Sequence, residues 1–274
     1  MQWGKVKNIL IAILLAVDLF LLGDLGLRLW QHVQYAGELE ADLRTLLHGY
    51  GIELDEGLHL PKDTVLPTLS LDRSRAEEEA VAVAMLGGDA ERTEQEDGTV
   101  RLTRGEDWVE WRADGTVQAV CATGADDPDD ERAALRLARR LLGAWGLQAE
   151  DAALTAGGQA VTLTGTVAGL PVHDRALTLT FLDGGRAALD GRWSFGVPYT
   201  TVRANGTACL AADALLDLAA RQPDSRTIYT MTVGYRMQTD GSRRIQLVPT
   251  WKIVTDRGGY LVDCAKKTVI APEN

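Results

Sequence analysis

Hydrophobic and polar residues alternate with three different rhythms along this chain. From Ile9 to Leu27 the run is almost unbroken, and thirteen of its positions are Leu, Ile, Val or Phe. Roughly 20 helical residues cross a bilayer core, and Val6–Leu25 supplies that length. Those thirteen side chains favour insertion by roughly 4 to 8 kcal/mol. The one central carboxylate, Asp18, opposes it by roughly 2.5 to 3.5 kcal/mol. A single membrane helix is therefore expected here. Lys5 and Lys7 precede the run and place the N-terminus in the cytoplasm, with the rest of the chain outside. No small-residue cleavage pattern follows the run, which argues for an uncleaved anchor. Asp18 shares a helix face with Ile11, Leu14, Leu15, Leu22 and Leu25. That face is the expected contact with another membrane helix, where a carboxylate can find a donor; the alternative is a single span that tolerates one protonated Asp.

The second rhythm is helical. Leu39, Leu43, Leu46 and Leu47 share one face of a stalk helix that Gly49 and Gly51 end. Three more helices are predicted at 73–86, 129–145 and 208–221. The third rhythm is the period-two alternation of strands, seen in Ala176-Leu177-Thr178-Leu179-Thr180-Phe181. Strands are predicted at 99–103, 107–112 and 116–121 after the first helix. After the second they fall at 160–167, 173–182 and 187–195, and after the third at 228–238, 243–255, 259–263 and 268–270. Ala113-Asp114-Gly115, Asp183-Gly184-Gly185, Asp240-Gly241 and Arg257-Gly258-Gly259 supply the turns.

The resulting expectation is an α+β fold: one N-terminal transmembrane helix, then an extracytoplasmic ectodomain of repeated helix-plus-antiparallel-sheet units. The segments are 1–30 (cytoplasmic tip and membrane helix), 31–71 (stalk and linker), 72–125 (first unit) and 126–274 (a C-terminal domain of two halves). The acidic strip Gly124–Glu131 marks the last boundary and suits a helix N-terminus.

Charge removes one class of partner. The 274 residues carry a formal net charge of −11, whereas nucleic acid needs a basic face. Cys121, Cys209 and Cys264 form no metal or redox motif. Cys209 and Cys264 share the C-terminal region, so both a pair and free thiols stand as readings. His32, His48, His59 and His173 are scattered, and none has metal-site spacing. Arg192-Trp193-Ser194-Phe195-Gly196 lacks the first glycine of a nucleophile elbow. The expectation is a protein that is not an enzyme, with no cofactor and no metal. Trp108, Trp111, Trp193 and Trp251 fit sheet core positions, or alternatively a contact surface. Pro249 and Trp251 stand inside one strand run, which suggests a bulge or an edge strand able to accept a partner strand.

The two ends carry a resemblance. Met1-Gln2-Trp3-Gly4-Lys5-Val6-Lys7-Asn8-Ile9-Leu10-Ile11, followed by Val17-Asp18-Leu19-Phe20-Leu21-Leu22, resembles the start of YycI-type (WalI) proteins. These are membrane-anchored regulators of the YycFG (WalRK) two-component system. Pro249-Thr250-Trp251-Lys252-Ile253, Gly259-Tyr260-Leu261-Val262-Asp263 and Thr268-Val269-Ile270 resemble that family's closing hairpin, which is itself similar to PepSY modules. The turn Cys264-Ala265-Lys266-Lys267 departs from the family's usual one. The resemblance implies a regulator of a sensor histidine kinase that controls cell-wall metabolism. It also implies a YycH-like sister protein as partner and a cell-membrane location. A PepSY-like extracytoplasmic domain that binds or inhibits a peptidase is the alternative.

Overall fold

A computed structural model describes residues 40–147, 152–200, 206–222, 224–239 and 244–271. The expected span at 6–25, with Ile11, Leu14, Leu15, Asp18, Leu22 and Leu25, lies outside the described residues. Among the described residues no helix is long and apolar enough to cross a membrane.

The expected fold class is corrected. The described chain is mostly β-sheet, and the helix-plus-hairpin units do not each own a sheet. Among the described residues fifteen strands join into one continuous sheet, with a separate two-stranded ribbon. Two causes account for the difference. Several strands carry no alternation, among them β4 (Glu91–Glu94), whose four residues are all exposed, and β8 (Ala152–Gly157). The joins between units also link strands distant in sequence: β7 (Thr116–Ala122) pairs with β11 (Arg186–Arg192) in antiparallel register from Thr116↔Arg192 to Ala122↔Arg186.

The first half of the sheet holds β4, β5 (Val100–Arg104), β6 (Asp107–Trp111), β7, β11, β10 (Leu170–Leu182), β9 (Ala160–Val167) and β8. Helices α2 (Arg75–Leu86) and α3 (Glu131–Ala144) pack on one face of it. Val81, Met85, Leu137, Ala138 and Leu141 meet the inward set Val109, Val117, Leu163, Leu177 and Leu189. Ser74 caps α2 by accepting from Glu77 N, and Gly87 closes it at φ 72°. Asp130 caps α3 by accepting from Ala133 N at 2.6 Å. Asp127 of the same acidic strip accepts from Gly184 N and Gly185 N, which pins the β10–β11 turn.

The second half holds β14 (Thr227–Thr239), β15 (Arg244–Thr255), β16 (Gly258–Asp263), β17 (Val269–Ile270), β3 (Leu69–Asp72), β12 (Tyr199–Thr200) and β1 (Glu53–Leu54). Helix α4 (Ala211–Arg221) and a helix over 40–49, here α1, cover it. Leu43, Leu47 and Ile52 are buried in the same core as Trp251, Ile253 and Leu215, so the segment from residue 40 belongs to this half. The ribbon pairs β2 (Thr64–Leu66) with β13 (Thr207–Cys209). Leu210, the N-cap of α4, has no capping side chain. Asp63, just before β2, accepts from Ala211 N at 2.9 Å instead.

A buried ion pair anchors α2. Arg73 meets Glu78 at 2.5 Å with both side chains at most 6% exposed. It also donates to the carbonyls of Arg112 and Ala113, tying the helix start to the β6–β7 turn. Burial pushes the Glu78 carboxyl up, and Arg73 opposes that shift. Removing Arg73 leaves an uncompensated buried carboxylate, so Arg73→Met is expected to cost about 3–5 kcal/mol in urea unfolding at neutral pH. The deficit should shrink as pH falls and Glu78 takes up a proton; an equal deficit at pH 7 and pH 4 would contradict the pairing.

Candidate functional site

β10 contributes buried residues to both cores. Val172 is fully buried in the second core, while Leu177, Leu179 and Phe181 are buried in the first. Between Pro171 and Ala176 its register with β9 shifts, and there it leaves the ladder. It meets β14 through a single parallel pair, Val172↔Tyr235. Gly234 permits that approach: a Cβ there would overlap the Pro171 carbonyl and come within 2.8 Å of His173 Nε2.

The bulge turns His173 and Asp174 onto the sheet face opposite the helices. There they line a cleft of about 650 Å³ across the junction of the two halves, with Arg192, Arg236 and Lys252. Asp174 spans the junction. One carboxylate oxygen accepts from Met237 N of β14 at 2.7 Å, and the other meets Arg192 of β11 at 3.0 Å. Burial pushes the Asp174 carboxyl up, against the Met237 N–H and the two guanidinium groups of Arg192 and Arg236. Arg192 also donates to the Asp114 carbonyl at 3.0 Å, and Asp190 accepts from Gln118 at 2.8 Å.

Two cations of the cleft lack a close ion pair, although the Arg236 guanidinium acts on the Asp174 carboxylate from further away. Among the described residues, Arg236 and Lys252 form no ion pair, and the buried Arg236 Nε has no hydrogen-bond partner. The same holds for the Nε2 of His173. Burial lowers the His173 pKa to about 4, helped by the positive charge of Lys252 and opposed by backbone groups of Thr232 and Thr250. His173 is thus neutral at pH 7. The arrangement can present a guanidinium and an ammonium to an anion, with a neutral imidazole in the same cleft.

Pro249 and Trp251 sit elsewhere. Trp251 is 1% exposed in the second core, and Pro249 is buried. The expected edge or bulge is corrected: β15 is interior, with β14 on one side and β3 then β16 on the other. β3 pairs with residues 244–247 and β16 with 250–255, so Pro249 falls in the gap between them, where no neighbour needs its missing N–H. Trp111 and Trp193 are also core residues, with Arg175 stacked 4.3 Å over the Trp193 ring. The cleft residues were not singled out in the sequence. Their signal was the polar triplet His173-Asp174-Arg175, which interrupts an otherwise alternating strand.

No protein family matches the chain, and no curated protein matches its sequence. Two solved structures are similar in shape. A crystal structure of an uncharacterized protein from Eubacterium rectale is 10% identical and covers 81% of this chain and 90% of its own, with a TM-score of 0.48. The C-terminal domain of Bacillus megaterium YpeB is also 10% identical and covers 73% of this chain and 98% of its own, with a TM-score of 0.34.

The low His173 pKa has a defined consequence for stability. Between pH 6.5, the ordinary histidine value, and about 4, the unfolded chain binds a proton that the folded chain refuses. Stability should therefore fall with acidification across that window, by up to about 1.4 kcal/mol per pH unit. Asp174, with its raised pKa, acts in the opposite sense, so the informative quantity is the difference between wild type and His173→Gln. The variant's urea midpoint should fall less steeply from pH 6.5 to 4.5; an identical slope would place His173 in water.

Proposed function

We propose that this chain is a non-enzymatic, extracytoplasmic regulator held at the cell membrane, whose β-sheet junction docks an acidic segment of a protein partner. The observation that carries this reading is that Arg236 and Lys252 stand in the cleft without a close ion pair among the described residues. A protein with net charge −11 has ample carboxylates on its surface, yet Arg236 and Lys252 have none within ion-pairing reach among the described residues. Cations held in a concave site without a close ion pair favour a carboxylate-bearing ligand over water. The other charged groups there are occupied in holding the junction together, which suits a docking site better than a reaction centre.

The finer reading is that the partner is a sensor histidine kinase, engaged together with a YycH-like sister protein. The resemblance of both chain ends to YycI-type regulators supports it, and the apolar run at 9–27 supports the membrane location.

Two measurements test the two levels separately. The full chain in detergent should bind a fluorescein-labelled Glu/Asp-rich peptide, and bind its Gln/Asn counterpart at least tenfold more weakly. The double substitution Arg236→Gln and Lys252→Gln should reduce acidic-peptide binding about tenfold or more, and added salt should weaken it. Equal affinity of the variant and wild type would remove the cleft from the account. Co-purification of the chain with a co-expressed sensor histidine kinase tests the partner, and its absence would overturn the kinase reading alone.

A further inference from the structure

The junction strands carry a second hollow on their other face. Side chains alternate along a strand, so neighbours in sequence face opposite ways. Asp174 and Arg192 line the junction cleft, while Arg175 and Trp193, the residues that follow them, line a cavity of about 490 Å³ on the helix side. One wall of this cavity is α2, through the exposed alanines Ala80 and Ala84. The residues that end α3, Trp145 and Leu147, form the other. The two helices approach at Gly146, where a Cβ would stand 4.0 Å from Val81 Cγ2. The short alanine side chains leave the mouth open.

The floor carries a charge where the strand pattern calls for an apolar residue. Arg175 shares the alternation of Leu177, Leu179 and Phe181, which are buried in the first core. It is itself only 9% exposed. Its stem lies against Gly165 of β9, where a Cβ would come within 2.8 Å of Arg175 Cδ. Its guanidinium stands 4.3 Å over the Trp193 ring. Gly165 and Trp193 thus hold a cation in place beneath two helices. Trp193 is buried, and its Nε1–H has no hydrogen-bond partner among the described residues.

We propose that this cavity binds a small organic anion, a monocarboxylate with an apolar body about one ring in size. The carboxylate accepts from the Arg175 guanidinium, whose several N–H donors can serve a ligand besides its contacts within the fold. The Trp193 N–H is a second donor in the same wall, and a buried donor without a partner favours an acceptor. The ring packs against Trp145, Leu147 and Phe195, which offer apolar and aromatic surface. The volume suits such a ligand, since small-molecule pockets run from roughly 300 to 1,000 Å³. Glu77, an exposed carboxylate in the first turn of α2, stands at the rim and disfavours a second negative group there. The ligand therefore carries its one charge inward and its apolar end outward. The site uses neither Arg236 nor Lys252, so it stands apart from the docking of an acidic partner.

The test titrates the full chain in lipid nanodiscs with para-(trifluoromethyl)hydrocinnamate, followed by fluorine NMR against empty nanodiscs. Saturable binding of one molecule per chain is expected, with a dissociation constant at or below about 1 mM. The corresponding alcohol should bind at least about tenfold more weakly. Ala84→Trp, at an exposed helix position, fills the mouth and should weaken acid binding at least about tenfold with little change in thermal midpoint. Arg175→Met should remove the preference for acid over alcohol. Ala84→Trp carries the test independently of how well the buried Arg175 variant folds. Absence of saturable binding, equal binding of acid and alcohol by the wild type, or undiminished affinity in Ala84→Trp would each overturn the proposal. So would loss of binding in the Arg236→Gln, Lys252→Gln double variant, which would move the anion to the junction cleft.

Discussion

The structure depends on one narrow junction. Two sheet halves, each with its own helices and its own core, meet where β10 bulges away from β9 and shares a single ladder pair with β14. A pair of strands joined so briefly contributes little backbone hydrogen bonding. Side chains supply the rest: Val172 enters the far core, and Asp174 accepts from the far strand while meeting Arg192 of the near one. A second strap follows β11, where Phe195 O accepts from Ser74 N and β12 pairs with β3. Gly234 is the permissive element, because any side chain there would strike the bulge.

The same junction creates the cleft. A flat continuous sheet offers no concavity, but two halves meeting at a bulge leave a notch on the face without helices. The groups that hold the notch together and the groups that face solvent in it are different residues. Asp174, Arg192 and Asp114 are bound to one another or to backbone. Arg236 and Lys252 are the groups left to meet a ligand. In the proposed docking role, structural and binding groups are thus different neighbours, and substitutions can separate them.

Much of the element pattern was legible in the sequence, because long hydrophobic periods are local. The strand expected at 160–167 coincides with β9, and the helix expected at 129–145 lies within two residues of α3 at each end. Strands without a visible period were missed: β4 is exposed throughout, and β12 and β13 are too short to show one. The fold class was misjudged because pairings such as β7 with β11 are non-local and merge units that the linear order separates. Pro249 suggested an edge, since a proline usually breaks a ladder. Its place in a gap between two neighbours depends on where β3 and β16 end, which no local pattern encodes. The cleft was hidden for the same reason, as its residues come from β10, β11, β14 and β15.

The central claim is that the β10–β14 junction makes the two halves one cooperative unit. Hydrogen exchange followed by mass spectrometry in mild urea tests it most directly, comparing peptides of β5–β7 with peptides of β15–β16 in the wild type and in Gly234→Val. The account predicts a common opening free energy for both halves in the wild type, and two separate ones in the variant. Independent opening of the halves in the wild type would contradict it.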